Sequence, residues 1–274
     1  MLDMSEQNYT LSKRDFSLVD KTAKSNRFNF PGVTLRVGAS DLTGDTIATI
    51  AIFNSSNDKT GNVVQVYFLP VDQTPMQAIR SGLDSAVCGD CILRPINSPN
   101  KDDDSCYVRK FHGPAKVYQT FKVGRYPLVK DLTPKDKTKV LSILKSKPIR
   151  LGAYGDPLAD VETSIYLAAV NPQVLGYTHQ WKHEDSISSS TGAWVHGVWL
   201  QSFLMASVDT TADYKQAKDS GWRTYRHTNE DSAFDNEIIC PHKTHGTQCI
   251  DCGLCSGTNS NSTRDIVTKT LKKG

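Results

Sequence analysis

The chain has 274 residues, with 32 Lys and Arg against 29 Asp and Glu and a formal net charge of +3. That length supports one large core or two small ones. Its 38% hydrophobic and 8% aromatic content is that of an ordinary globular protein, and no run of 18 or more apolar residues offers a membrane span. The near-balanced charge neither demands nor excludes nucleic acid, because binding depends on how charges cluster.

Residues 1–30 show no clear period and read as an irregular N-terminal arm. They are polar and lack the apolar core of a signal peptide, so the expectation is a cytoplasmic protein. From Gly32 the β-branched runs GVTLRVG, DTIATIAIF and NVVQVYFLPV predict strands in two adjacent hairpins, separated by Gly, Asn and Asp clusters. Thr74 and Pro75 predict the start of a short helix. The first cysteine segment follows, with a Pro-, Asn- and Asp-rich surface loop between Cys91 and Cys106. Residues 107–125 carry aromatic and apolar side chains at Tyr107, Phe111, Val117, Tyr118 and Phe121, and Gly113 and Pro114 are expected to interrupt any single helix there. Thr133 and Pro134 open a helix whose apolar positions Val140, Leu141 and Leu144 recur at helical spacing.

An alternation then sets in. PIRLGAYGDP reads as a strand, ADVETSIYLAAVNP as a helix, QVLGYTHQW as a strand, SFLMASVDT as a strand, TADYKQAKDSGW as a helix and RTYRHT as a strand. AWVHGVWLQ is ambiguous. Strand–helix alternation implies parallel pairing. The expected fold is α/β: a partial (β/α) barrel over 31–239 with N-terminal hairpins, then a cysteine-rich metal-binding segment and basic tail over 240–274. The basic clusters at Lys135, Lys137, Lys139, Lys145, Lys147 and Arg150, and at Lys269, Lys272 and Lys273, read as a solvated helix face and a tail.

The seven cysteines fall into two groups: Cys88, Cys91 and Cys106, then Cys240, Cys249, Cys252 and Cys255. An odd count rules out complete internal disulfide pairing, and CxxC units in a reducing compartment point to metal or redox chemistry. The terminal C-x8-C-x2-C-x2-C arrangement lets one loop wrap three thiolates, as ferredoxin-type iron–sulfur sites do; zinc is the alternative, with His242 and His245 as substitute ligands. The first group, C-x2-C-x14-C, supplies three thiolates and implies an open coordination position, a fourth ligand such as His112, or a site shared with the terminal group. His179 is expected near the same mouth as Asp156. Trp181, Trp194, Trp199 and Trp222 read as core, with base stacking as the functional alternative.

Cys106 precedes Tyr107, and the segments RLGAYGDPLAD, LGYTHQW, LMASVDT and RTYRHT follow in that order. This order resembles the partial (β/α) barrel of radical S-adenosylmethionine enzymes. The chain is also similar in outline to phage-encoded cysteine-cluster proteins, including its Lys59–Thr60–Gly61 segment. The resemblance implies that Cys88, Cys91 and Cys106 hold an iron–sulfur cluster, that Gly155, Asp156 and Pro157 form a turn against S-adenosylmethionine, and that Ser207 and Asp209 lie on a later strand. It further implies action on nucleic acid or a nucleotide, in a host cytoplasm if the chain is phage-encoded. The family's usual spacing is C-x3-C-x2-C, whereas here the third cysteine lies 15 positions past the second. A second expectation is a zinc-containing transglycosylase similar to the tRNA-guanine transglycosylases, with Asp156 and Asp209 as nucleophile and base at strand ends. A third is a non-enzymatic, metal-stabilised binding module.

Overall fold

The computed structural model describes residues 30–97, 106, 108–183, 197–228, 234–259 and 262–269. The N-terminal arm before Phe30, most of the acidic loop, Tyr107, Trp194, His196, Lys272 and Lys273 lie outside the described residues, and the side chains of His183, Trp199 and Lys269 are not described. The fold is mixed α/β, with two five-stranded sheets. Among the described residues no helix is long and apolar enough to cross a membrane.

The first sheet begins with β1 (Gly32–Ala39), β2 (Thr46–Ile52) and β3 (Val64–Pro70), each antiparallel to the next. Every residue of β3 is buried, as a strand covered on both faces requires. The chain then makes a long excursion through α1 (Pro75–Ser81), α2 (Ser85–Cys88), α3 (Gly113–Lys122) and α4 (Pro134–Ser146). It returns as β4 (Ile149–Tyr154), parallel to β3. Gly113 and Pro114 mark a helix boundary, as expected: α3 begins there and does not extend back through the described residues 108–112, because proline is tolerated in the first helical turn, where no intrahelical partner is needed. In α4 the Thr133 side chain accepts from the Asp136 backbone, and Val140, Leu141 and Leu144 are buried, as their spacing predicts.

Helix α5 (Val161–Val170) leads to β5 (Val174–Leu175), which pairs with β4. One residue later β6 (Tyr177–Thr178) opens the second sheet by pairing with β7 (Met205–Val208). The single predicted strand over QVLGYTHQW is therefore divided at Gly176. Its N–H donates to the Cys255 carbonyl, and its carbonyl accepts from Met205 N. A side chain there would meet Leu204 and Leu151, so glycine lets the chain pass between the two packed elements.

The second sheet runs β6-β7-β8-β10-β9, with all pairings parallel. Helix α6 (Gly197–Phe203) precedes β7, and α7 (Thr211–Asp219) joins β7 to β8 (Thr224–Thr228). The ambiguous aromatic segment thus ends in helix. Strand β10 (Asp265–Lys269) inserts between β8 and β9 (Glu237–Ile239), so residues 265–269 are an interior strand of this sheet. Among the described residues no pairing joins β1 to β9, and the strand order is open. The main core packs both sheets against the helices and includes Trp181 and Trp222. A smaller core of Met205, Tyr225, Cys240 and Ile266 lies against Tyr177, Leu254 and Cys255.

Candidate functional site

The first cysteine group is built on the excursion after β3. Thr74 and Gln77 form a reciprocal capping box that starts α1, and Gly82, at φ 83°, ends it. Helix α2 finishes at Cys88; Gly89, at φ 52°, reverses the chain; and Cys91 N donates to Cys88 O at 3.1 Å. Buried Arg94 holds this knuckle. Its Nε and Nη2 fork onto Asp84 at 2.9 and 2.8 Å, Nη1 donates to Gly89 O at 2.9 Å, and Nη2 also reaches Gly82 O at 3.0 Å. Guanidinium suits this task because it is planar and carries several donors in fixed geometry.

The knuckle docks on the ends of parallel strands. Strand β4 is lengthened by a bulge at Gly152, φ 68°, which shifts its register against β3. It ends in the turn Gly155–Asp156–Pro157, and Asp156 N donates to Val87 O at 2.5 Å. A β-carbon on Gly155 would lie 2.8 Å from the Phe68 side chain and 3.1 Å from Val87 O, so only glycine permits this approach. The Asp156 carboxylate accepts from Leu158 N at 3.0 Å, Thr178 Oγ1 at 2.8 Å and His179 N at 2.8 Å. It ties the β4 turn to the end of β6. Burial raises its pKa, against those hydrogen bonds. Gln180 completes the joint by donating to Cys88 O at 3.1 Å.

Asp156, His179 and Asp209 therefore follow the C-terminal ends of β4, β6 and β7, of which β6 and β7 pair in parallel, and the first two lie beside Cys88 and Cys91. His179 Nε2 is 3.4 Å from Asp209 Oδ2 but buried without a well-aligned hydrogen bond. Burial disfavours its charged form, but Asp209 and Cys91 outweigh burial and raise its pKa to about 10. Burial, then the neighbouring Cys91 and Cys106, push the Cys88 thiol well above its ordinary value. Tyr154 Oη, also within the field of Cys88 and Cys106, is buried and unsatisfied. Ser207 is buried on β7, and its carbonyl accepts from Trp181 Nε1 at 2.8 Å. Asp209 does not cap α7; Thr210 does.

The terminal cysteines gather elsewhere. Cys240 follows β9 and precedes α8 (Pro241–His245), while Cys249 and Cys252 bound α9 (Cys249–Cys252). All four line one pocket with Lys59, Arg150, Tyr177 and His242. The Lys59–Gly61 segment is its wall: Lys59 O and Thr60 O accept from Cys249 N and Ile250 N at 3.0 and 3.1 Å. Tyr177 stacks on Tyr225 at 3.9 Å between centroids, and Lys59 Nζ lies 5.9 Å from the Tyr225 ring. Burial, then Cys249 and Cys240, push the Cys255 thiol up to about 12. His242 Nδ1 and Ser256 Oγ are buried without a hydrogen bond.

The two groups thus form separate sites, each with its own wall and neighbours. The donor set of both is dominated by thiols, which suits zinc, copper(I) or iron–sulfur clusters. No cysteine is in a disulfide. Among the described residues no three His, Cys, Asp or Glu side chains converge as the ligands of a single metal ion do. His112 stands exposed at the start of α3, and His245 is exposed as well. Sequence reasoning did not find Asp84, Arg94 or Gln180 as supports of the first site, or Arg150 and Tyr177 as walls of the second. Their partners are distant in the chain or lie inside a loop without a spacing signature.

The fold and site together define a mixed α/β protein with one thiol group at parallel strand ends and another in a pocket at the chain's close. No protein-family model matches the chain, and no curated protein or solved structure does either.

Proposed function

We propose that the chain is an iron–sulfur protein with a divergent radical-SAM-like partial barrel, acting on nucleic acid or a nucleotide. The observation that carries this reading is the docking of the Cys88–Cys91 knuckle onto Asp156 and Gln180. It sets the Cys88 and Cys91 thiols, with Cys106 near enough to act on Cys88 electrostatically, beside the C-terminal ends of β4 and β6, where open α/β sheets and barrels bind ligands. The 174–178 segment, shared by both sheets, supports a curved run of parallel strands rather than two unrelated layers.

In this reading Cys88, Cys91 and Cys106 hold the cluster. Such a cluster, together with S-adenosylmethionine, would supply one-electron chemistry. Arg94 and Asp84 fix the knuckle, and Gln180 fixes the Cys88 carbonyl. Asp156 shapes the turn on which the cofactor would rest. His179 and Asp209 are the polar pair left to hold or orient a substrate. The substrate class rests on the family resemblance alone.

The zinc transglycosylase reading draws support from the same strand ends, but it needs Asp156 as a free nucleophile or base. That carboxylate already accepts three hydrogen bonds and is buried. Only Asp209 remains available, and two carboxylates are required to attack and to manage a proton.

The test is anaerobic reconstitution with ferrous iron and sulfide, followed by titration with S-adenosylmethionine, read by paramagnetic resonance of the reduced cluster. The expected result is a cluster signal that changes on titration and is lost in Cys91→Ala. A signal indifferent to S-adenosylmethionine contradicts the cofactor assignment, and a colourless protein with stoichiometric zinc contradicts the cluster.

A further inference from the structure

Beside the first cysteine group, the excursion between β3 and β4 has a surface that is both apolar and basic. Five large apolar side chains are exposed among the described residues, and four of them belong to this excursion: Ile92, Ile96, Phe111 at 65% and Val123 at 71%. The second half of the excursion is also of one sign. Residues 106–130 carry Arg109, Lys110, Lys116, Lys122, Arg125 and Lys130 and no Asp or Glu, in a chain whose net charge is only +3.

Helix α3 sets these groups out. Its apolar stripe, Pro114, Val117 and Tyr118, is buried. Lys116, Gln119 and Val123 follow one another at three- and four-residue spacings and are exposed, so they share its outer face. Arg109 and Phe111 stand exposed before its first turn, and Arg125 stands exposed after its last. Ten helical residues make a strip about 15 Å long. Lys110 is buried, and Lys122 Nζ donates to Val71 O at 3.4 Å, beside the exposed Asp72. The outward charge of the strip therefore rests chiefly on Arg109, Lys116 and Arg125.

We propose that the outer face of α3 and its two flanks bind single-stranded nucleic acid, with the cations on phosphates and the Phe111 ring stacked on a base. Cations interleaved with exposed aromatic surface suit a strand whose bases are unpaired, because every base has a face to stack. A duplex would meet the cations but leaves no base face open to Phe111. A membrane takes a helix by its apolar face, and that face of α3 is already packed inward. Phe111 is five residues from Cys106, a reach of at most about 18 Å, and Cys106 acts electrostatically on Cys88. The strip therefore borders the strand-end site. The proposal deepens the nucleic-acid part of the proposed function, but it stands on charge and exposure and needs no cluster.

The test is fluorescence anisotropy of the full chain, as purified and after reconstitution, with a labelled mixed-sequence single strand of about 16 nucleotides and the matching duplex. Co-sedimentation with phosphatidylserine vesicles runs beside it. The expected result is preferential binding of the single strand that weakens steeply between about 50 and 200 mM salt. Lys116→Glu/Arg125→Glu should weaken it by about tenfold or more. Phe111→Ala should weaken it about tenfold with the salt dependence unchanged, since a stacked ring releases no counterions. In the intact chain, bound oligonucleotide should protect Lys116 from acetylation and leave Lys215, exposed on α7, reactive. The proposal is overturned by no binding at low salt, by binding undiminished in either variant, by equal acetylation of Lys116 with and without the strand, or by preference for duplex or vesicles. A chain that binds single strands yet forms no cluster contradicts only the iron–sulfur reading. A chain that forms a cluster responsive to S-adenosylmethionine yet binds no strand contradicts only this surface.

Discussion

Arg94 forks onto Asp84 through two hydrogen bonds of 2.9 and 2.8 Å, and the pair is buried inside the first cysteine loop. The same guanidinium spends its remaining donors on the carbonyls of Gly82 and Gly89, so one side chain ties together both ends of the loop. Removing it strands a buried carboxylate. Arg94→Met should cost about 3–5 kcal/mol in denaturant unfolding. Arg94→Lys should recover only a small part, because an ammonium cannot reproduce the fork. Full recovery by lysine would mean that charge alone holds the loop.

Asp156 is expected to act on stability before it acts on anything else. Its carboxylate accepts three hydrogen bonds that join the β4 turn to the end of β6. Asp156→Asn replaces one acceptor oxygen with a donor facing an N–H or hydroxyl donor. Equilibrium unfolding should register a loss of about 1–3 kcal/mol. Unchanged stability would return Asp156 to the candidates for a free catalytic carboxylate.

Acid should stabilise the corner around Glu162. Burial, then Asp160 and Asp41, raise the Glu162 pKa to about 6, against the opposing pull of Arg36. Between the ordinary value of 4.5 and about 6 the folded protein binds more protons at this site than the unfolded chain. The contribution of Glu162 to stability therefore falls as pH rises through that window. Its partial exposure limits the effect to about 1 kcal/mol. Glu162→Gln should flatten this part of the profile, and an unaltered slope would assign it to other groups.

Glycine contacts at the terminal site can be weighed against a glycine with none. Gly44 and Gly61 both have positive φ, 84° and 69°, but a β-carbon on Gly44 meets nothing within 4 Å. Gly44→Ala should cost about 1 kcal/mol from backbone strain alone. Gly61→Ala must also displace Ile250 and Gln248. Thermal unfolding should place it clearly below Gly44→Ala, and equal costs would contradict the tight seating of the Lys59–Gly61 segment.

Local chemistry made much of this architecture readable. Thr74–Pro75 and Thr133–Pro134 marked helix starts because capping depends on neighbours in sequence. The alternating strands and the strand-end positions of Asp156, His179 and Asp209 followed from periodicity. The division of one strand at Gly176 did not, because Leu204 and Cys255, which require it, are distant in the chain. Strand β9 is three residues long, too short for a period, and gains its place only by pairing with β10. The cysteines announced themselves by spacing. Their supports, Arg94, Gln180 and Lys59, act through contacts that only the folded chain creates.

The central claim is that the thiols serve iron–sulfur chemistry. Iron, zinc and acid-labile sulfide should be measured together on the full chain purified without oxygen. The account expects a brown protein absorbing near about 400 nm, with iron and sulfide in equal amounts. A colourless protein carrying stoichiometric zinc and no sulfide would contradict it.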